Sequence, residues 1–396
     1  MRRPSHVLEG LLLPGFALLS LLACGGPTAP VEPDTNGART RDAVVAEPPV
    51  GCVDPVTTPP PPDVLVRRSI RNAAARGAVC NDGSAPSYYV RRGVGCGASR
   101  WVLFFEGGGA CYPPDCPDRG QRLLSSNDDP PTMEANRGLL STSPAENPDF
   151  FTANQVFFSY CSSDAYSGDK SGSGLPGDYH FRGSRIVQAV IEDLVNPEVT
   201  PAPNLAQATE LLLAGGSAGG AGVLFNLDRL GAAFPGKRVR GFTDAGWRVD
   251  TLQYDPALGT TVEAAAIFAE FWNSVADTSC SAAEPEQPGR CGVGQTLYPY
   301  LSTPLFVHQD QYDPVPLEKM GLTEPLDSSE QAFAVAHAWK VRQSLAPVSG
   351  VFSPADQQHT LVRSPAFNNP LVNGVSLRQA FGNWYFGRPG PTHVIE

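Results

Sequence analysis

Histidine is scarce in this chain, six in 396 residues, and no two of them fall at His-x-x-x-His spacing. Nor do any of its nine cysteines form Cys-x-x-Cys. Zinc sites ordinarily use such spacings, so the sequence implies no bound metal. Basic residues are also short, 29 Lys and Arg against 40 Asp and Glu, for a net charge of −11. Without a basic stripe to neutralise phosphates, nucleic acid is not an expected partner. Long apolar runs are missing as well: the N-terminal stretch from Leu11 to Leu22 is too short for a comfortable membrane span.

That stretch follows Arg2 and Arg3 and ends in Ala23-Cys24, which reads as a secretory leader over residues 1–23. Leu21-Leu22-Ala23-Cys24 resembles a bacterial lipobox, which implies that Cys24 is lipidated and holds an exported protein at a membrane, facing periplasm or cell exterior. Residues 24–63 are rich in Pro, Thr, Val and Ala, with no hydrophobic period, and are expected to form a disordered tether. The remainder, 64–396, is expected to fold as one domain, since 41% hydrophobic and 17% charged residues suit a sizeable core. Setting Cys24 aside leaves eight cysteines, an even number that in an exported chain points to disulfides.

What the chain does have is one stretch around which the rest is organised: Leu211-Leu212-Leu213-Ala214-Gly215-Gly216-Ser217-Ala218-Gly219-Gly220-Ala221-Gly222. The apolar run reads as a buried strand, the small residues after Ser217 can begin a helix, and Gly-x-Ser-x-Gly lies between them as a nucleophile elbow. So tight a turn packs helix closely on strand and needs flanking residues with little Cβ bulk. It would lift the serine hydroxyl to where a base and a substrate carbonyl can both reach it.

Strands are expected at Ser87–Arg91, Arg100–Phe105, 154–160, 239–243, 304–307 and 348–352. Helices are expected where Ile186, Val190 and Leu194 share a face, after Ser217, and over Ser328–Leu345, the last with Ser328 and Gln331 as a capping box. This alternation predicts an α/β fold, α/β-hydrolase-like, with a mostly parallel central sheet and helices on both faces. Arg100–Phe105 runs into Glu106-Gly107-Gly108-Gly109-Ala110, where such folds place part of the oxyanion hole. The amides of Gly108 and Gly109, with that of Ala218 behind the serine, are the expected donors.

In this fold the chain order is serine, acid, histidine, with the last two on loops at the carboxyl ends of strands. His308 lies at the end of an apolar strand and is expected to be packed or at a rim. His337 lies within a helix, structural or solvent-facing, and His393 in the terminal tail. His359, after strand 348–352, is the expected base, and Asp313, after the preceding strand, the expected acid. Asp244 is expected to be a structural hydrogen-bonding residue nearby, and Asp310 a surface carboxylate.

The chain resembles the pectin acetylesterase and Notum carboxylesterase family through Cys80-Asn81-Asp82-Gly83-Ser84, Phe105-Glu106-Gly107-Gly108, Tyr160-Cys161-Ser162-Ser163-Asp164, Gly216-Ser217-Ala218-Gly219-Gly220, Asp244-Ala245-Gly246-Trp247 and Gly382-Asn383-Trp384-Tyr385. The resemblance implies a serine esterase with Ser217, Asp313 and His359 as its triad and no cofactor. It also implies disulfides Cys80 with Cys161, Cys111 with Cys116 and Cys280 with Cys291, leaving Cys52 and Cys96. The aligned positions of the acyl pocket are Gly109, Ala110 and Arg248, beside Trp247, where Notum-like members carry aromatics. Loss of large apolar side chains, each contributing about 1.5–3 kcal/mol when buried, makes a short acyl group, acetyl, the expected one, on an O-acylated saccharide such as pectin. The alternatives are a Notum-like lipid-ester carboxylesterase and a non-catalytic glycan-binding lipoprotein.

Overall fold

The structure is a computed structural model that describes residues 62–112, 116–172, 174 and 177–396. The leader, Cys24, nearly all of the tether and Cys52 lie outside the described residues.

Strands β1 (Val64–Ser69), β2 (Ser87–Arg91), β3 (Arg100–Phe105), β4 (Thr132–Glu134), β5 (Asn154–Phe158), β6 (Glu210–Gly216), β7 (Arg238–Asp244), β8 (Leu305–His308) and β9 (Gly350–Ser353) form most of one sheet. A two-stranded hairpin, β10 (Leu371–Val372) and β11 (Val375–Ser376), stands apart, and β12 (His393–Ile395) rejoins the main sheet. The order is β12-β9-β8-β7-β6-β3-β5-β2-β1-β4. Pairing is parallel from β12 through β5 and antiparallel across β2, β1 and β4. The ten strands are thus mixed but mostly parallel, as alternation of strand and helix predicts. β1, β4 and β12 are additions to the expected set, and His393, expected in a loose tail, sits in β12 with Nδ1 on the Val348 carbonyl at 2.8 Å.

Helices α1 (Gly183–Val195), α2 (Ala218–Ala233), α3 (Thr261–Trp272), α4 (Thr278–Ala283), α5 (Gly294–Leu297), α6 (Pro314–Lys319), α7 (Ser328–Leu345) and α8 (Leu377–Phe386) connect and cover the sheet. Side chains alternate across each strand, and two cores follow. Leu103, Phe105, Leu211, Leu213 and Val307 face α1, α2 and α7, whereas Phe104, Leu212, Phe242 and Phe306 face Phe381 and Tyr385 of α8. Helix α7 has the expected bounds, but its capping box is Asp327 with Glu330, one residue earlier than Ser328 with Gln331. The Asp327 carboxylate takes the Ser329 and Glu330 amides at 2.7 and 2.9 Å, leaving no donor for Ser328 to cap. Among the described residues no helix is long and apolar enough to cross a membrane.

Disulfides join Cys80 to Cys161, Cys111 to Cys116 and Cys280 to Cys291. The first ties the segment before β2 to the end of β5, the second closes a loop after β3, and the third holds α4 to the turn before α5.

Candidate active site

β6 ends at Gly216 and α2 begins at Ala218, which leaves Ser217 alone in the turn at φ 57° and ψ −122°. A non-glycine residue at positive φ costs about 1–3 kcal/mol and persists only where its surroundings over-determine it. They do so by contact. A Cβ on Gly219 would lie 2.1 Å from the Phe105 carbonyl oxygen, and one on Gly215 2.4 Å from that of Gly219. The absence of Cβ atoms lets α2 press against the carboxyl ends of β3 and β6. The Ser217 amide donates to the Asp244 carbonyl at 2.8 Å, which ties the turn to β7.

The three residues chosen from chain order converge. His359 places Nε2 2.8 Å from Ser217 Oγ and Nδ1 2.8 Å from Asp313 Oδ2. Asp313 is itself held, because Oδ1 accepts the Val315 amide at the start of α6 at 3.0 Å and Oδ2 accepts from Gln309 Nε2 at 3.1 Å. Asp313 is 2% exposed, while the His359 side chain stays partly open to solvent. A carboxylate at Nδ1 fixes the proton there and leaves Nε2 to accept from the serine hydroxyl.

A second layer of buried charge holds the histidine loop. Asp244 Oδ2 accepts the amides of Leu361 and Val362 at 2.9 and 2.7 Å, and Oδ1 lies 2.5 Å from His308 Nδ1. His308 Nε2 meets Asp310 Oδ1 at 3.0 Å, and Asp310 Oδ2 accepts the Gln358 amide at 2.7 Å. Asp244 therefore has the structural role expected of it, and His308 is packed. Asp310 is a correction: it is 1% exposed, and the loop it anchors draws it inside. Burial opposes the His308 imidazolium, but the charge and hydrogen bond of Asp244, joined by Asp310, override it and raise the pKa to about 9. Burial raises the Asp310 carboxyl, with its hydrogen bond from His308 acting the other way.

The glycine loop runs hard against the serine turn, since a Cβ on Gly107 would lie 2.7 Å from the Gly216 carbonyl and 3.1 Å from Ser217 Cβ. Gly108 and Gly109 follow at φ 145° and 69°, conformations that glycine adopts freely. Ala218 opens α2, where the first amides have no helical acceptor. Gly109 and Ala218 line the same cavity as Ser217 and His359, and a Cβ on Gly108 would meet Leu123 and Tyr160.

That cavity is about 610 Å³. Ala110, Trp247 and Arg248 line it, with Trp247 fixed by a 2.9 Å bond from Nε1 to Ser344 Oγ. Helix α3 supplies a wall absent from the sequence reading, Ile267, Phe268 and Trp272, whose signal was the Thr260 and Glu263 capping box. Trp272 Nε1 donates to the Cys111 carbonyl at 2.9 Å and joins this wall to the disulfide loop. His337 is buried on the inner face of α7 and also lines the cavity, as does Lys319. Among the described residues no group of three or more His, Cys, Asp or Glu is placed to hold a metal ion.

A mostly parallel sheet with a strained serine between strand and helix, met by histidine and aspartate from later strands, defines an α/β-hydrolase-like protein. Residues 64–396 match the profile of the family described as Pectinacetylesterase, and the chain belongs to that family. It is 34% identical over 328 residues to palmitoleoyl-protein carboxylesterase notum1 of Xenopus laevis, covering 78% of this chain and 65% of that one. To palmitoleoyl-protein carboxylesterase NOTUM of Homo sapiens it is 35% identical over 324 residues, covering 77% and 63%. The Drosophila melanogaster NOTUM is 32% identical over 325 residues, covering 79% and 47%. The chain thus spans less than two thirds of the length of these relatives.

Proposed function

We propose that this protein is an exported serine carboxylesterase. The observation that carries the reading is the unbroken chain from Ser217 Oγ through His359 to Asp313, 2.8 Å at each link. His359 Nε2 takes the hydroxyl proton as Ser217 Oγ attacks the ester carbonyl, and Asp313 stabilises the imidazolium. The amides of Gly108, Gly109 and Ala218 receive the oxyanion; one such donor typically contributes about 2.7–4 kcal/mol to the transition state. His359 then protonates the leaving alcohol, and water, activated by the same ring, releases the acid.

The cavity favours a longer acyl group than the acetyl read from Gly109, Ala110 and Arg248. Those small or charged positions do not leave a shallow site, because Phe225, Val249, Phe268, Trp272 and Met320 enclose a volume in which three acetyl heavy atoms would rattle. Each methylene buried there contributes about 0.8 kcal/mol, so several carbons give a tighter fit. The alcohol side is proposed to be an acylated saccharide, in line with the family description, whereas the relatives' names point to a palmitoleoyl group on protein. The disulfides among the described residues suit an oxidising compartment, and a membrane anchor through Cys24 completes the proposed localisation.

Nitrophenyl esters from acetyl to decanoyl test both parts. Ser217→Ala is expected to abolish turnover, and kcat/KM is expected to rise from acetyl to a maximum between hexanoyl and octanoyl. Retained turnover in Ser217→Ala refutes the mechanism, and a steady fall from acetyl onward refutes the acyl pocket and restores the acetyl reading.

A further inference from the structure

The cavity beside Ser217 is apolar over most of its wall, yet two cations face it. Arg248, half-buried after β7, and Lys319, at the end of α6, both line it. Neither makes an ion pair or a side-chain hydrogen bond among the described residues. Burial first, then the charges of Arg248 and Arg119, push the Lys319 ammonium down to about 8, with Glu318 and Asp313 acting the other way. Lys319 itself is exposed, at the rim of the cavity it lines. Burial likewise lowers the Arg248 guanidinium. The third polar group is His337, 5% exposed, whose Nδ1 has no partner.

Carboxylates exceed cations in this chain by 40 to 29, so the lack of an acidic partner here is not a shortage of acids. The two that line the cavity are already committed, Asp313 to His359 and Gln309, and Asp310 to His308 and the Gln358 amide. Charged side chains enclosed in apolar surroundings are almost always paired. The half-buried, unpaired Arg248 guanidinium and the buried, unsatisfied His337 nitrogen, which line one cavity, therefore call for an anion from outside the chain, with the exposed Lys319 ammonium at the rim to join it. A guanidinium also matches a carboxylate in a two-point geometry that water fits less well.

We propose that the cavity selects an acyl group that ends in a carboxylate, the anion pairing with Arg248 and Lys319 while its methylene chain lies along Phe268, Trp272 and Met320. The substrate is then a half-ester of a dicarboxylic acid. Hydrolysis breaks its acyl carbon to alkoxy oxygen bond, and water supplies the hydroxyl of the released diacid and the proton of the alcohol. This deepens the esterase reading and rests on it for catalysis, though not for binding.

The test pairs nitrophenyl hexanoate with the mono-nitrophenyl ester of adipic acid, which differ by the terminal carboxylate. In the wild-type protein kcat/KM is expected to favour the adipate ester by at least about tenfold, as loss of a charge-assisted pair would remove. Arg248→Met is expected to reverse the preference. Should that variant not fold, Lys319→Met, at an accessible helix end, reads the same effect. Binding is measured apart from hydrolysis by the melting temperature of Ser217→Ala protein with adipate or hexanoate, where adipate is expected to give the larger rise. A wild-type preference for hexanoate, with no greater stabilisation by adipate, overturns the proposal even if esterase activity stands. A preference for a carboxylate on the alcohol side, seen with an O-acetyl hydroxy acid against a neutral acetate ester, and absent on the acyl side, overturns it as well. Absence of turnover with both nitrophenyl esters, together with a larger rise from adipate, sinks the esterase reading and leaves the anion site standing.

Discussion

Replacing Asp244 by asparagine separates the residue that holds the site from the residue that works in it. The carboxylate offers two acceptor oxygens, one to the Leu361 and Val362 amides and one to His308. Asparagine keeps the shape but turns one oxygen into a donor, so either the two amides or the His308 ring face an NH2 group. Removing one partner of a buried charge pair costs about 3–5 kcal/mol. In a domain of this size that lowers the melting temperature by about 4–8 °C. The histidine loop loosens without loss of its ring, and misplacement by about 1 Å costs on the order of 100-fold in kcat. Asp313→Asn, which leaves the loop pinned but fixes the wrong His359 tautomer, is expected to lower kcat by about 10⁴ with a smaller melting shift. Calorimetry and steady-state kinetics on the two variants read both quantities. A 10⁴ loss in Asp244→Asn at unchanged melting temperature, with Asp313→Asn nearly active, would exchange the two roles and refute the reasoning.

Two further outcomes are expected. Gly219→Ala drives a Cβ to 2.1 Å from a backbone oxygen that cannot move aside, whereas Gly216→Ala brings one only to 3.4 Å from Thr360 Cγ2; the first should fail to give folded protein by circular dichroism and the second should fold, and a native, active Gly219→Ala would contradict the packing described. Because the His308 pKa is raised to about 9 in the fold from 6.5, its contribution is complete below pH 6.5 and lost as pH rises through 9, up to about 3 kcal/mol; the melting temperatures of wild type and His308→Gln should converge over that interval, and a gap independent of pH would show that His308 does not carry the charge.

Much of this site is legible in the sequence because its parts have local signals. Gly215-Gly216-Ser217-Ala218-Gly219 between an apolar run and small residues can be little other than a tight turn, and strand order limits where its partners lie. What is not legible depends on distant neighbours. β4 and β12 have three residues each and exist as strands because β1 and β9 offer them partners. The sequence leaves His337 structural or solvent-facing and makes Asp310 a surface carboxylate, since nothing local tells that α7 turns one toward a cavity or that His308 and the 358 amide draw the other inside. The size of the cavity is hidden likewise. The substitutions at 109, 110 and 248 predict less apolar contact, while α3, from a different stretch of chain, restores it.

Strand β12 bears on both loops of the site at once. Glu396 accepts the Ala355 amide at its carboxylate and the Gln311 side chain at its carbonyl, and its own amide donates to the Ser353 carbonyl, so it braces the two loops that bring Asp313 and His359 to the serine. The loops that carry Asp313 and His359 thus share one brace, so a disturbance of β12 displaces the two together rather than one without the other.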